Sequence, residues 1–160
     1  MPCLLIAGCG YLGQAVADLF VAERWEVEGW TMSAESAANL SGKAYSVRAV
    51  DISNEDQVCA QKSDFDAVIH SASTRGGNAD LYRRVYSNGA GNLLERFRNS
   101  RMLFVSSTSV YAQSNAEWVT EESPAQPRHE TGTILRDAEN VVLARRGVAV
   151  RVGGIYGPGR

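Results

Sequence analysis

The chain has 160 residues, 44% of them apolar and 21% charged, with a net charge of −2. That composition predicts one globular domain with a real core, and it leaves no electrostatic footprint for nucleic acid or an anionic membrane. No apolar run reaches membrane-spanning length, the N-terminus lacks a signal-peptide pattern, and the three cysteines have no metal-ligand spacing, so a reduced, cytoplasmic protein without a metal site is expected.

Cys3 to Ala7 is an apolar run of strand length, and Gly8-Cys9-Gly10-Tyr11-Leu12-Gly13 follows it directly. Leu12, Ala15, Val16, Leu19 and Phe20 then recur at helical spacing. Strand, G-x-G-x-x-G and helix in that order form the turn on which a dinucleotide pyrophosphate sits. Gly8 permits the tight turn, Gly10 keeps side chains away from the phosphates, and Gly13 lets the helix lie close to the strand. The helix N-terminus supplies N–H groups and a favourable dipole. Cys9 lies inside this turn, where a helix N-terminus favours a thiolate.

Trp25 to Thr31 reads as the second strand. An acid near its end, about 20 residues after the glycines, would bind a ribose 2′-hydroxyl. Thr31, Met32 and Ser33 stand there instead. This leans towards NADP and leaves NAD open. Ser33 is placed to cap a helix to Leu40, and Ala44 to Val50 reads as strand three, closed by Asp51-Ile52. Ser53, with Asp56 at the capping-box position, is expected to start the next helix. Asp66 to His70 is a buried strand running into Ser71-Ala72-Ser73, and Asn78 to Asn99 reads as one long helix. Its buried side carries Tyr82, Val85, Tyr86, Leu93 and Phe97. Gly89 and Gly91 lower its propensity and point to close packing. Arg83, Arg84, Arg96 and Arg98 read as its solvated face.

Arg101 to Val105 is the fifth strand, entering Ser106-Ser107-Thr108-Ser109-Val110-Tyr111. Ala112 to His129 is a long polar loop. Ile134, Leu135, Ala138, Val141 and Val142 restore helical spacing, and Val148 to Val152 is strand six. Alternating strands and helices predict an α/β fold of Rossmann type: a doubly wound, mostly parallel sheet of about six strands with helices on both faces. The Gly8 turn, Asp51, Ser71 to Ser73 and Ser106 to Ser109 all fall at strand carboxyl ends, where the ligand crevice of such a sheet lies.

The glycine turn, Asp51-Ile52, DAVIHSAS, SNGAGNLLE, VSSTSVYA and VRVGGIYGPGR occur in the order seen in extended short-chain dehydrogenases/reductases, and the chain resembles the epimerase/dehydratase-like members of that superfamily. The resemblance implies an NAD or NADP cofactor. Gly8, Gly10, Tyr11, Leu12 and Gly13 would hold its pyrophosphate side and Thr31 its ribose. Asp51 and Ile52 would lie by the adenine, and Ser71, Ala72 and Ser73 by the ribose and nicotinamide. Ser107 would hydrogen-bond a substrate oxygen, and Asn88 would help order the active site. A small-molecule or nucleotide-sugar substrate and a homodimer through the 78–99 and 130–146 helices are implied as well.

The match fails where such enzymes keep a Tyr and, four residues on, a Lys. Thr131 and Leu135 occupy those positions, which makes the chain resemble the atypical, YeeZ-like branch. Threonine is no proton relay near neutral pH without an adjacent base, and leucine lowers no neighbour's pKa. Two functions therefore stand: an atypical NAD(P)-dependent oxidoreductase of the epimerase/dehydratase type, or a non-catalytic NAD(P)-binding sensor or interaction module. Residues 1–160 are expected to be the NAD(P)-binding domain, with the substrate-binding C-terminal region absent or not included. His70 is expected to be a hydrogen-bonded structural histidine, His129 a solvated loop residue and Tyr111 a packing residue.

Overall fold

The computed structural model describes residues 1–159. Among them are six strands: β1 (Cys3–Ala7), β2 (Glu26–Thr31), β3 (Ser46–Ala49), β4 (Ala67–His70), β5 (Arg101–Ser107) and β6 (Val148–Val152). They pair in parallel in the order β3-β2-β1-β4-β5-β6. The chain runs outward from β1 to β3, then returns to place β4 on the other side of β1. The carboxyl ends of β1 and β4 thus flank the switch point, where a doubly wound sheet opens a crevice.

The helices are α1 (Tyr11–Ala22), α2 (Ala34–Ala38), α3 (Glu55–Cys59), α4 (Ala79–Tyr82), α5 (Gly89–Arg96) and α6 (Glu130–Ala144). Successive strand residues point to opposite faces, so each strand feeds two cores. Leu4, Ile6, Val27 and Ile69 pack with Val16 and Phe20 of α1. Leu5, Ala7, Val68 and Phe104 pack on the other face with Leu93 of α5 and with Leu135 and Val142 of α6. No helix among the described residues is long and apolar enough to cross a membrane.

The apolar stripe predicted for α1 holds at Val16 and Phe20, which pack on the sheet, and fails at Ala15 and Leu19. Gly13 and Ala17 are buried, while Ala15 and Leu19 are exposed. The cause is close approach: a Cβ on Gly13 would lie 2.3 Å from the Gly8 carbonyl oxygen. The residues pressed closest to the sheet are the smallest, which a hydrophobicity pattern weighs least. The predicted helix 78–99 is not one α-helix. A π-helical segment, Arg83–Asn88, separates α4 from α5. Ser53 is not the next cap either. Its N–H and hydroxyl both donate to Asp51 Oδ1, and Asn54 caps α3 by accepting from Gln57 N at 3.0 Å. Ser33 does cap α2, accepting from Ser36 N at 3.2 Å. Strand three is shorter than predicted, and β5 runs two residues further because Ser106 and Ser107 pair with Arg151 and Val152 of β6.

Candidate functional site

The glycine turn sits at the carboxyl end of β1. Gly8 has φ +107° and touches the next turn: its Cβ would fall 2.1 Å from Ala72 N. The amides of Gly8 and Cys9 donate to the Trp30 carbonyl at 3.1 and 2.7 Å, which ties the turn to β2. Gly10 is the contrast. A Cβ there would meet no protein atom within 4 Å, so the space beside it is a cradle rather than packed interior. The first turn of α1, which begins directly after Gly10, has N–H groups without intrahelical acceptors, as a helix N-terminus does. Tyr11 Oη donates to the Pro158 carbonyl at 3.2 Å. The 155–158 segment thereby borders a cleft of about 470 Å³ along α1 that Leu12 also lines. A larger cleft, about 640 Å³ and lined by Trp25, Asp66 and Arg101 among others, lies at the amino ends of the strands, away from the glycine turn.

The structure brings Ser71 and Ala72 against that turn. Ser71 Oγ donates to the Gly8 carbonyl at 3.0 Å, and both amides donate to Ala7 O. Ser73 is more exposed, its hydroxyl accepting from Arg75 N. Asp51 follows β3. Its Oδ1 is held by Ser53 and its Oδ2 lies 3.6 Å from Arg84 Nη2. Ile52 is buried, and its carbonyl accepts from Asn92 Nδ2 at 2.9 Å. Thr31 is buried too and its hydroxyl donates to Ser33 O at 3.2 Å. Asn88 is exposed at the end of the π-helical segment.

Two expectations change here. The Cys9 thiol is buried and lies 3.8 Å from Tyr45 Oη. Burial pushes its pKa up, outweighing the hydrogen bond with Tyr45 and nearby Lys43, so a thiolate is disfavoured. The arginines of the broken helix are not simply solvated. Arg83 pairs with Glu130 at the start of α6, and Arg96 donates to the Gln61 carbonyl. His70 agrees with its expectation. It is fully buried, Nε2–H donates to Val85 O at 3.0 Å inside the π-helical segment, and the ring packs between Tyr86 and Phe104. Burial lowers its pKa to about 4, so it is neutral at pH 7. Among the described residues no group of His, Cys, Asp and Glu is arranged to hold a metal ion.

On the other side of the crevice, Ser107 ends β5 half-buried and its hydroxyl accepts from Ser109 N at 3.1 Å. α6 starts beside this turn, since a Cβ on Gly132 would lie 2.8 Å from Ser109 O. Thr131 is half-buried in the first helical turn, and Leu135 is core, 2% exposed. Sequence reasoning missed the most buried charge in the region. Glu139, 0% exposed, accepts from Ser106 Oγ at 2.6 Å, from Arg136 Nη1 at 2.8 Å, and from Arg151 Nε and Nη2 at 2.9 and 2.8 Å. Burial pushes its carboxyl up, but the hydrogen bonds from Arg151, Ser106 and Arg136 and the Arg151 charge hold it below the usual range. Arg151 Nη1 goes on to Tyr111 Oη at 2.7 Å. The signal was there: Glu139 is the one acid among the buried positions of α6, and Arg151 the one charge in VAVRV.

The family model of the NAD dependent epimerase/dehydratase family matches residues 4–159. No curated protein matches the chain at a significant level. Among solved structures, a Methylobacillus flagellatus protein assigned to the NAD-dependent epimerase/dehydratases is 28% identical over 99% of this chain and 56% of its own, with a TM-score of 0.80. ADP-L-glycero-D-manno-heptose-6-epimerase of Helicobacter pylori is 25% identical over 98% of this chain and 56% of its own, with a TM-score of 0.77. UDP-glucose 4-epimerase of Brucella ovis, solved with NAD, shares the fold at 19% identity, over 96% of this chain and 51% of its own, with a TM-score of 0.76. The chain thus spans about half the length of the relatives it matches, with the glycine turn, the six parallel strands and the Ser107 turn inside the matched part. It belongs to the NAD dependent epimerase/dehydratase family.

Proposed function

We propose that this chain binds NAD or NADP across the carboxyl ends of β1 and β4 and presents it to a small-molecule substrate of the nucleotide-sugar kind. The observation that carries this is the open cradle at Gly10, set between a Gly8 pinned against Ala72 and a Gly13 pinned against Gly8. Gly8, Gly10, Tyr11, Leu12 and Gly13 would hold the pyrophosphate. Asp51 and Ile52 would stand on the adenine side, with Ser71, Ala72 and Ser73 on the ribose and nicotinamide side. The nicotinamide supplies or accepts hydride when bound. The Ser107 hydroxyl would bind a substrate oxygen, and Asn88 would help order the site.

The lean towards NADP rests on the uncharged Thr31-Met32-Ser33 end of β2, with the Thr31 hydroxyl already committed to Ser33 O. The second reading, a non-catalytic NAD(P) sensor or interaction module, is favoured by one observation: Leu135 is sealed in the core where a cation would tune a phenol.

Calorimetry with NAD and NADP in parallel tests the cofactor, with micromolar or tighter binding expected. Gly10→Val should abolish it while leaving the folded chain intact, because a Cβ at Gly10 meets no protein atom within 4 Å. Silence with both dinucleotides in the parent ends this reading. Ser107→Ala should keep the dinucleotide and lose any turnover, and unchanged turnover removes Ser107 from the mechanism.

A further inference from the structure

Loop 112–129 carries no helix or strand and is mostly polar. Trp118 within it is 97% exposed. Thr120, two residues on, is nonetheless held: its carbonyl accepts from Tyr111 Oη at 3.0 Å. That phenol is aimed by Arg151, whose Nη1 donates to the same oxygen at 2.7 Å and whose guanidinium lies 4.9 Å from the ring centroid. Arg151 is in turn gripped through Nε and Nη2 by Glu139, which also takes Ser106 and Arg136. One buried carboxylate therefore joins β5, α6 and β6 and reaches through a planar fork and a phenol to the outer loop.

An ion pair is a costly way to hold three elements together, because apolar residues of similar size do so at least as well. What apolar packing does not supply is direction. The guanidinium fork fixes the phenol oxygen as an acceptor, which leaves the phenol O–H to donate outward. The loop it reaches starts at the end of the Ser107–Tyr111 turn and returns to α6 at Gly132, where Pro127 and Ser109 O crowd the helix start.

We propose that Glu139, acting through Arg151 and Tyr111, is a positioning residue that latches loop 112–129 beside the Ser107 end of the crevice. The latch serves the substrate side and leaves the dinucleotide side alone. It rests on the functional reading above only for what the loop faces.

Hydrogen exchange on the full chain tests it with Tyr111→Phe, which keeps the ring on Arg151 and removes the oxygen. The hydrogen-bonded loop amides of Thr120 and Ser123 should exchange at least about tenfold faster, with the strand amides unchanged and the NAD or NADP dissociation constant within about twofold. Arg151→Lys keeps the charge but cannot span both carboxylate oxygens and the phenol, so it should loosen the same amides. Loop exchange as slow as in the parent in Tyr111→Phe overturns the latch. So does acceleration spread evenly over the sheet, which would make the oxygen a general structural contact. Failure of the parent to bind either dinucleotide would remove the functional reading, while the exchange pattern would still decide the latch.

Discussion

His70 shows how a residue at the site acts on the whole chain. Its folded pKa of about 4 lies below the 6.5 of an exposed histidine. Between those values the unfolded chain binds a proton that the native chain refuses, so stability is complete above about 6.5 and falls as pH drops towards 4. Urea unfolding should lose on the order of 2 kcal/mol from this group between about pH 7.5 and about pH 5. His70→Gln can still donate to the Val85 carbonyl and should flatten that part of the profile. An identical slope in the two proteins would show that His70 does not carry it. The sequence marked His70 as structural because it ends a buried strand. Glu139 and Arg151 were invisible as partners because 12 positions and a strand boundary separate them.

Glycine in a helix carries opposite meanings at Gly13 and Gly91. Gly13 is wedged against backbone, and Gly89 against Ile52 and His70, but a Cβ on Gly91 would meet nothing within 4 Å. Gly13→Ala should therefore cost about 1–3 kcal/mol through displaced backbone, whereas Gly91→Ala should add about 0.5–1 kcal/mol by restricting the unfolded chain. Chemical denaturation of both variants checks the pair, and equal effects would sink the packing argument. The spacing of apolar residues located α1 correctly and placed Val16 and Phe20 on the sheet, but it missed Gly13 and Ala17, the small residues in closest contact. It also made one helix of 78–99. The π-helical turn coincides with a carbonyl used by buried His70 and with Gly89 pressed on Ile52, contacts that are not local in sequence.

At the scale of the molecule, α6 turns Ile134, Leu135, Ala138 and Val142 inward and leaves Val141 50% and Leu143 46% exposed. A homodimer through the 78–99 and 130–146 helices, still a proposal, would cover them. Sedimentation should then give a dimer at micromolar concentration, and Val141→Glu should give a monomer with unchanged dinucleotide binding. A monomeric parent at tens of micromolar would exclude that interface.

Periodicity, glycine spacing and the order of the motifs determined the parallel α/β sheet, the position of the glycine turn and the family, since each depends on neighbours a few residues apart. Only the tertiary structure decided which residues of α1 meet the sheet, that the Cys9 thiol is buried against Tyr45, and that Glu139 grips Arg151. Those outcomes depend on the distance between segments far apart in the chain, and close packing and desolvation act on that distance alone.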